Sequence, residues 1–144
     1  MVDSNKVVRY GRNEFVQHEE AADGAVTAGF LLERTANGVA AHSTAAGDIN
    51  TPLVAKDLRQ AGFTLGDEYS DGVDVPYLAC SGGGAHLMLA TANDVAAGDR
   101  LVSAGDGSVR AYDSANDAAA AVVATADEDL NNTSGSPSAI AVDF

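Results

Sequence analysis

The sequence predicts an all-β fold, a small β-sandwich or barrel-like domain preceded by an extended N-terminal arm. Three observations predict it. Short runs rich in Val, Leu, Ile and Tyr are broken by Gly, Asn, Asp and Ser about every 8–15 residues, the spacing of strands in sandwiches and small barrels. Asn37-Gly38 and Gly105-Asp106-Gly107 sit between such runs. Asn-Gly or Asp-Gly there is a strong hairpin signal, because the turns that match strand twist need positive φ. One hairpin is also written twice. Val26-x-Ala28-Gly29-x-x-Leu32 and Val95-x-Ala97-Gly98-x-x-Leu101 share their spacing, and Val39 and Val109 follow the two turns, one residue later in the second copy. A period of about seventy residues is too long for a solenoid, and two copies are too few. Two related hairpins in one domain is the expectation.

Taken in order, residues 1–13 form a polar arm with one apolar step, Val7-Val8. Residues 14–144 form the β domain. Its first core strand is Glu14 to His18. Ala25 to Leu32 follows as a second apolar run, then Val39 to His42 after the Asn37-Gly38 turn. Leu53 to Ala55 is read as a strand that runs into an irregular segment, although Val54 and Leu58 also have helical spacing and Gly62 would end a helix. Gly66 to Gly72 is an acidic loop. Asp74 to Cys80 is a strand whose Pro76 belongs at an edge or a strand start. Ser81-Gly82-Gly83-Gly84 is a turn, and Ala85 to Ala90 is apolar enough to be buried on both faces. The second hairpin, Leu101-Val102 to Val109–Tyr112, comes next. Ala120 to Ala126 is a β-prone run closed by Asp127-Glu128-Asp129. Asn131 to Ser138 is turn-forming, and Ala139 to Phe144 alternates as a final strand.

Composition bounds the function. Of the 144 residues, 46% are hydrophobic but many of these are Ala, aromatics are 6% and Trp is absent. Such a core has few large anchors and gains from oligomerisation. Net charge is −13, from 21 acids against 8 bases, and the only lysines are Lys6 and Lys56. Low Lys with abundant Asp and Ala fits adaptation to high salt, where screening relieves self-repulsion. Nucleic acid is a poor partner for such a chain, since phosphate binding needs basic patches. No apolar run approaches a membrane span, so no membrane partner is expected. The start, M-V-D-S-N-K, lacks an apolar leader core, which fits a protein made and used without secretion. Cys80 is alone, so an internal disulfide is ruled out.

No set of residues points to a reaction. His18, His42 and His86 lack metal-ligand spacing, and Cys80 has no C-x-x-C partner. Ser81 beside Gly82-Gly83-Gly84 lacks the G-x-S-x-G context of a nucleophile, and no Lys-Ser/Thr follows the glycines to make a P-loop. The acidic pairs Asp67-Glu68, Asp71 with Asp74, and Asp127-Glu128-Asp129 do not match a calcium loop, so solvated carboxylates are the expectation. A-G-D-x-L-V-S-x-G-D-G is similar to lipoyl- or biotin-carrying barrels, but those present a modifiable Lys at a hairpin tip, and here the tip is Asp106-Gly107. The expectation is therefore a protein that is not an enzyme, with no catalytic residue, metal or cofactor. The one candidate contact element is the arm. Lys6, Arg9 and Arg12 invert the sign of an acidic chain, and with Val7 and Val8 they form a segment suited to reach an acidic neighbour and add an edge strand to it.

The blocks Glu14-Phe15-Val16-Gln17, A-A-G-D-R-L-V-S-A-G-D-G-S-V-R-A over 96–111, A-V-V-A-T-A-D-E-D-L-N-N-T over 121–133 and the closing A-I-A-V-D-F resemble the head decoration proteins of tailed viruses, which stabilise (cement) capsids. The resemblance covers most of residues 14–144 in block order. It implies a barrel-like, β-tulip-like domain that binds the outer face of an icosahedral shell. It also implies a homotrimer at local three-fold positions, the major capsid protein as partner, and assembly in the host cytoplasm. The acidic, Lys-poor composition departs from the family in the direction that a haloarchaeal virus requires. A second expectation of another class is a glycan- or host-surface-binding β-sandwich on a spike or turret. It calls for an exposed aromatic cluster, for which Tyr69 and Tyr77 are the nearest pair.

Overall fold

A computed structural model describes residues 6–11 and 15–144. Among them the chain is all-β. The strands are β1 (Val8–Tyr10), β2 (Phe15–Ala21), β3 (Val26–Thr27), β4 (Leu31–Thr35), β5 (Gly38–Ala41), β6 (Leu53–Ala55), β7 (Glu68–Tyr69) and β8 (Asp74–Cys80) in the first part. The second part holds β9 (Gly84–Leu89), β10 (Asn93–Val95), β11 (Arg100–Ser103), β12 (Val109–Ala111), β13 (Ala124–Ala126), β14 (Leu130–Asn132) and β15 (Ser138–Asp143). The helical elements among the described residues are short 3-10 turns at Arg59–Ala61 and Ala119–Ala121.

The repeat in the sequence extends far beyond one hairpin. One sheet runs β2-β8-β6-β4-β5, and a parallel bridge from Ala22 to Val39 joins its two ends. The other runs β9-β12-β11-β13-β15 and closes into a five-stranded barrel because β15 also pairs with β9. These are the same topology. β2 corresponds to β9, β4–β5 to β11–β12, β6 to β13 and β8 to β15, and the β3–β7 ribbon corresponds to β10–β14. Even the closing parallel contact recurs, Ala22 with Val39 in one half and Leu89 with Val109 in the other.

The shared Ala-Gly motif has a physical cause. Gly29 and Gly98 take φ of +95° and +93°, a region open to glycine at little cost. Each turns the chain from its side ribbon into the barrel and gives its amide to the counterpart carbonyl, Ala55 at 2.9 Å and Ala126 at 2.8 Å. The one-residue slip between copies lies in the hairpin turns. Thr35 pairs with Gly38 around a two-residue turn. In the second copy the Ser103–Val109 pair is followed by an Ala104 amide to Ser108 carbonyl bond of 2.9 Å, which encloses one residue more.

The two interiors match position by position. Ala22, Val26, Leu32, Val39, Leu53, Ala55, Val75 and Tyr77 fill the first. Leu89, Val95, Leu101, Val109, Ala124, Ala126, Ile140 and Val142 take the same places in the second. Volume is redistributed: the first barrel uses two tyrosines and a small Ala22, the second uses Leu89 and aliphatic partners. Narrow barrels accept such exchanges when total volume is kept. The tyrosine hydroxyls leave the apolar interior, Tyr69 donating to Lys56 carbonyl at 2.6 Å and Tyr77 to Glu20 at 2.7 Å. Leu31, Val54, Leu78 and Cys80 lie on the outer side of the first barrel and join the core of the second, so the halves share apolar surface.

Several expectations are corrected. The run Ala25 to Leu32 is broken at Ala28-Gly29 into β3 and β4, because the positive φ of Gly29 ends the pairing. Ala120 to Ala126 is a strand only from Ala124; before it the chain makes a 3-10 turn at Ala119–Ala121. The acidic loop over 66–72 and the turn-forming stretch from Asn131 contain β7 and part of β14, two short outlying strands. Residues 8–10 of the predicted arm form β1, which pairs antiparallel with β9, Val8 facing Ala85.

Candidate functional site

The N-terminal residues singled out in the sequence do not extend from the domain where they are described. Val7 is fully buried. Its amide donates to the buried Asp57 carboxylate at 3.1 Å, and its carbonyl accepts the His86 amide at 2.7 Å. His86 Nδ1 lies 2.7 Å from the Lys6 carbonyl; a carbonyl only accepts, so Nδ1 carries the proton. Arg9 lies on the second barrel, with Asp127 at 2.5 Å, Asp143 at 3.6 Å and the Val142 carbonyl at 3.1 Å. Tyr10 donates its hydroxyl to Asp143, a bond that raises the phenol above its ordinary pKa. Its ring lies where a Cβ on Gly84 would stand, so that glycine is required for the fit. Arg12 lies outside the described residues.

Beside β1 the surface opens into a cleft of about 360 Å³. Lys6 and Val8 form one wall and Phe15 and Gln17 of β2 the other, with Leu78, Lys56, Asp57, Leu58 and Gln60 completing it. Both lysines of this strongly acidic chain therefore meet at one place. Arg110, Arg34 and Arg100 are engaged elsewhere. Arg110 clasps Asp117 with two bonds of 2.8 Å, Arg34 stands 3.9 Å from Glu20, and Arg100 lies 4.4 Å above the Tyr112 ring. Lys56 forms no ion pair among the described residues. The cleft thus gathers both lysines beside the Asp57 carboxylate and the apolar side chains of Val8, Phe15, Leu58 and Leu78.

The remaining chemistry-bearing residues are dispersed. His18 stacks on Tyr77 with ring centroids 5.4 Å apart, and His42 is buried against Ser103 at 2.8 Å. Burial pushes the Cys80 thiol up to about 12, which keeps it protonated and unreactive near neutrality. No group of three or more His, Cys, Asp or Glu that could hold a metal occurs among the described residues.

Acidic residues expected to be merely solvated have structural work. Asp129 accepts the Ala97 amide at 2.8 Å and Glu128 the Ala141 amide at 2.9 Å. Asp71 accepts the Gly24 amide at 2.9 Å and Asp67 the Thr64 amide at 2.7 Å. These carboxylates satisfy loop and edge amides that no strand reaches. Their position beside turn residues is the signal for this in the sequence. Tyr69 and Tyr77 are 1% and 0% exposed, which removes the aromatic cluster that a glycan-binding surface called for.

No family model matches the chain, and no curated protein matches it. Among solved structures, the head fiber gp8.5 N base of bacteriophage phi29 is similar, with a TM-score of 0.56 at 14% identity over 90% of this chain and 93% of that one. The likeness spans nearly the whole of both chains, so the all-β architecture with its closed five-stranded barrel is a fold that this head-fiber base shares.

Proposed function

We propose that this protein is a structural component of a viral head, bound to the outside of an icosahedral capsid and bridging neighbouring major capsid protein subunits. The observation that carries the reading is the fold held in common with a phage head-fiber base over 90% of the chain. The decoration-protein blocks support it independently. A homotrimer at local three-fold positions fits a core built largely from Ala and Val, which gains from burial between copies. The charge of −13 fits a salt-rich host, where the screening length is about 3 Å at molar salt and attachment depends on close apolar and main-chain contact.

Attachment is assigned to the surface beside the N-terminal strand. Lys6 and Val8 line its cleft, whereas Val7 and Arg9 hold the strand in place. Removal of the whole predicted arm is a poor test, because it takes away a fully buried Val7 and uncovers the edge of β9. A surface change is the cleaner one. Purified shells are mixed with the protein or with Lys6→Glu/Val8→Glu at molar salt and sedimented. Co-sedimentation of the first at a fixed ratio to shell protein, reduced for the second, supports the reading. A protein that stays in the supernatant contradicts it.

A further inference from the structure

The two halves differ at one place that their common topology makes visible. In the second half, the outward edge of β9 is covered by β1, with Val8 opposite Ala85, Tyr10 opposite Gly84, and the His86 amide bonded to Val7 at 2.7 Å. The corresponding edge in the first half belongs to β2. Register through β8 and β15 makes Gln17, His18 and Glu19 the counterparts of Gly84, Ala85 and His86. Among the described residues, no strand lies on that edge. Val16 through Glu19 are exposed, and β8 is the one described strand that pairs with them.

The backbone there is aimed outward. Glu19 faces Pro76, which has no N–H, and the Pro76 carbonyl is turned to the other side, where it accepts the Lys56 amide at 2.8 Å. The amide and carbonyl of Glu19 therefore point away from β8, as those of His86 point toward β1.

The cleft is the counterpart of the ground that Arg9 and Tyr10 cover. Gln17, Leu78 and Lys56 stand where Gly84, Asp143 and Asp127 stand in the other half. The Lys56–Asp127 correspondence is fixed by one hydrogen bond present in both, Lys56 amide to Pro76 carbonyl and Asp127 amide to Ala141 carbonyl, each 2.8 Å. The charge has reversed. A strand seated on β2 as β1 sits on β9 brings its Arg9-position side chain to Lys56. A cation is repelled there and a carboxylate is paired. This excludes β1 of a second copy as occupant, because that strand carries Arg9.

We propose that the open edge of β2 and its cleft bind an extended acidic segment of a partner polypeptide, antiparallel to β2, with a carboxylate against Lys56. Main-chain bonds to Gln17 and Glu19 supply affinity, and Lys56 supplies selection. Gln17 in place of Gly84 leaves room only for a small side chain where β1 carries Tyr10. Binding of such a segment does not depend on attachment to a shell, so a peptide tests it without particles.

The test uses the full chain, labelled for NMR, at low salt, with the probe peptide acetyl-Thr-Val-Val-Asp-Ala-amide and its counterpart bearing Arg for Asp. The acidic peptide shifts the Gln17 and Glu19 amides and slows their exchange, and it binds about tenfold more tightly than the Arg peptide. Lys56→Glu reverses that order. Glu19→Pro, which removes an amide that makes no bond to β8, abolishes binding while the rest of the spectrum keeps its dispersion. Failure of both peptides to bind at millimolar concentration overturns the proposal. So do equal affinities, an order unchanged in Lys56→Glu, or shifts that cluster away from β2.

Discussion

Lys56 and Asp127 occupy the same place in the two halves, each giving its amide to a carbonyl 2.8 Å away, yet one is a cation and the other is the anion that Arg9 holds at 2.5 Å. Arg9 thus has an anionic partner on the second barrel and would meet a cation at the matching place on the first. Asp127→Lys is expected to place two cations together and to destabilise the fold by about 1–2 kcal/mol at low salt. The loss shrinks in molar KCl as the repulsion is screened. Urea unfolding at the two salt concentrations measures it. An equal loss at both would mean that packing, not charge, holds Arg9.

Glycine positions separate backbone strain from collision. Gly98 has φ +93° and open space where a Cβ would stand, so Gly98→Ala costs about 1 kcal/mol from its backbone alone. Gly107 has φ +91° and its Cβ would strike the Phe30 ring, with Ala41 Cβ at 3.1 Å. Gly107→Ala is expected to cost about 3 kcal/mol, because the turn that joins the barrels must move. Paired denaturation curves give the difference directly.

Asp57 is buried and reaches across to the Val7 amide at 3.1 Å. Asp57→Ala leaves that amide without its acceptor and is expected to cost about 1–3 kcal/mol. Local opening of β1 comes before global unfolding. Hydrogen exchange at the His86 amide, bonded to Val7, is the readout: it accelerates in the variant while amides of β11 stay protected.

The paired Arg110 guanidinium holds Asp117 down at about 2, against an ordinary value near 3.8. A carboxylate whose folded value is depressed adds stability that is complete above the unfolded value and is lost as pH falls through the folded one. The contribution of this pair therefore fades between about pH 4 and pH 2. In Arg110→Leu, an NMR titration should find Asp117 returned toward its ordinary value, with stability lowered above about pH 4 and its fall between about pH 4 and pH 2 made shallower.

The barrel is legible in the sequence through its turns. Asn37-Gly38, Asp106-Gly107 and the twin Ala-Gly steps mark positions where the chain reverses, and those signals are local. The duplication is visible only at that hairpin, since away from it the interior counterparts keep Ala55 with Ala126 but otherwise differ: Tyr77 matches Val142, Ala22 matches Leu89, Leu53 matches Ala124. Barrel interiors keep volume and not residue type, so sequence spacing loses the correspondence after the strands around the turn. The strands at Glu68–Tyr69 and Leu130–Asn132 are hidden because they are too short to alternate. The charge of residues 6–12 reads as an arm because Arg9 and its partners Asp127 and Asp143 are far apart in the chain. Nothing local announces a pair formed across more than a hundred residues. The Lys56 cleft is visible only once the two halves are laid on each other.

The central claim, that this chain coats the outside of a viral shell, is tested most directly by electron cryomicroscopy of purified particles with and without it. The account predicts density of this double-barrel shape on the outer face, repeated at equivalent lattice positions between shell subunits and absent when the protein is omitted. Particles that carry no such density, or that show the protein inside the shell or only at a tail, would contradict it.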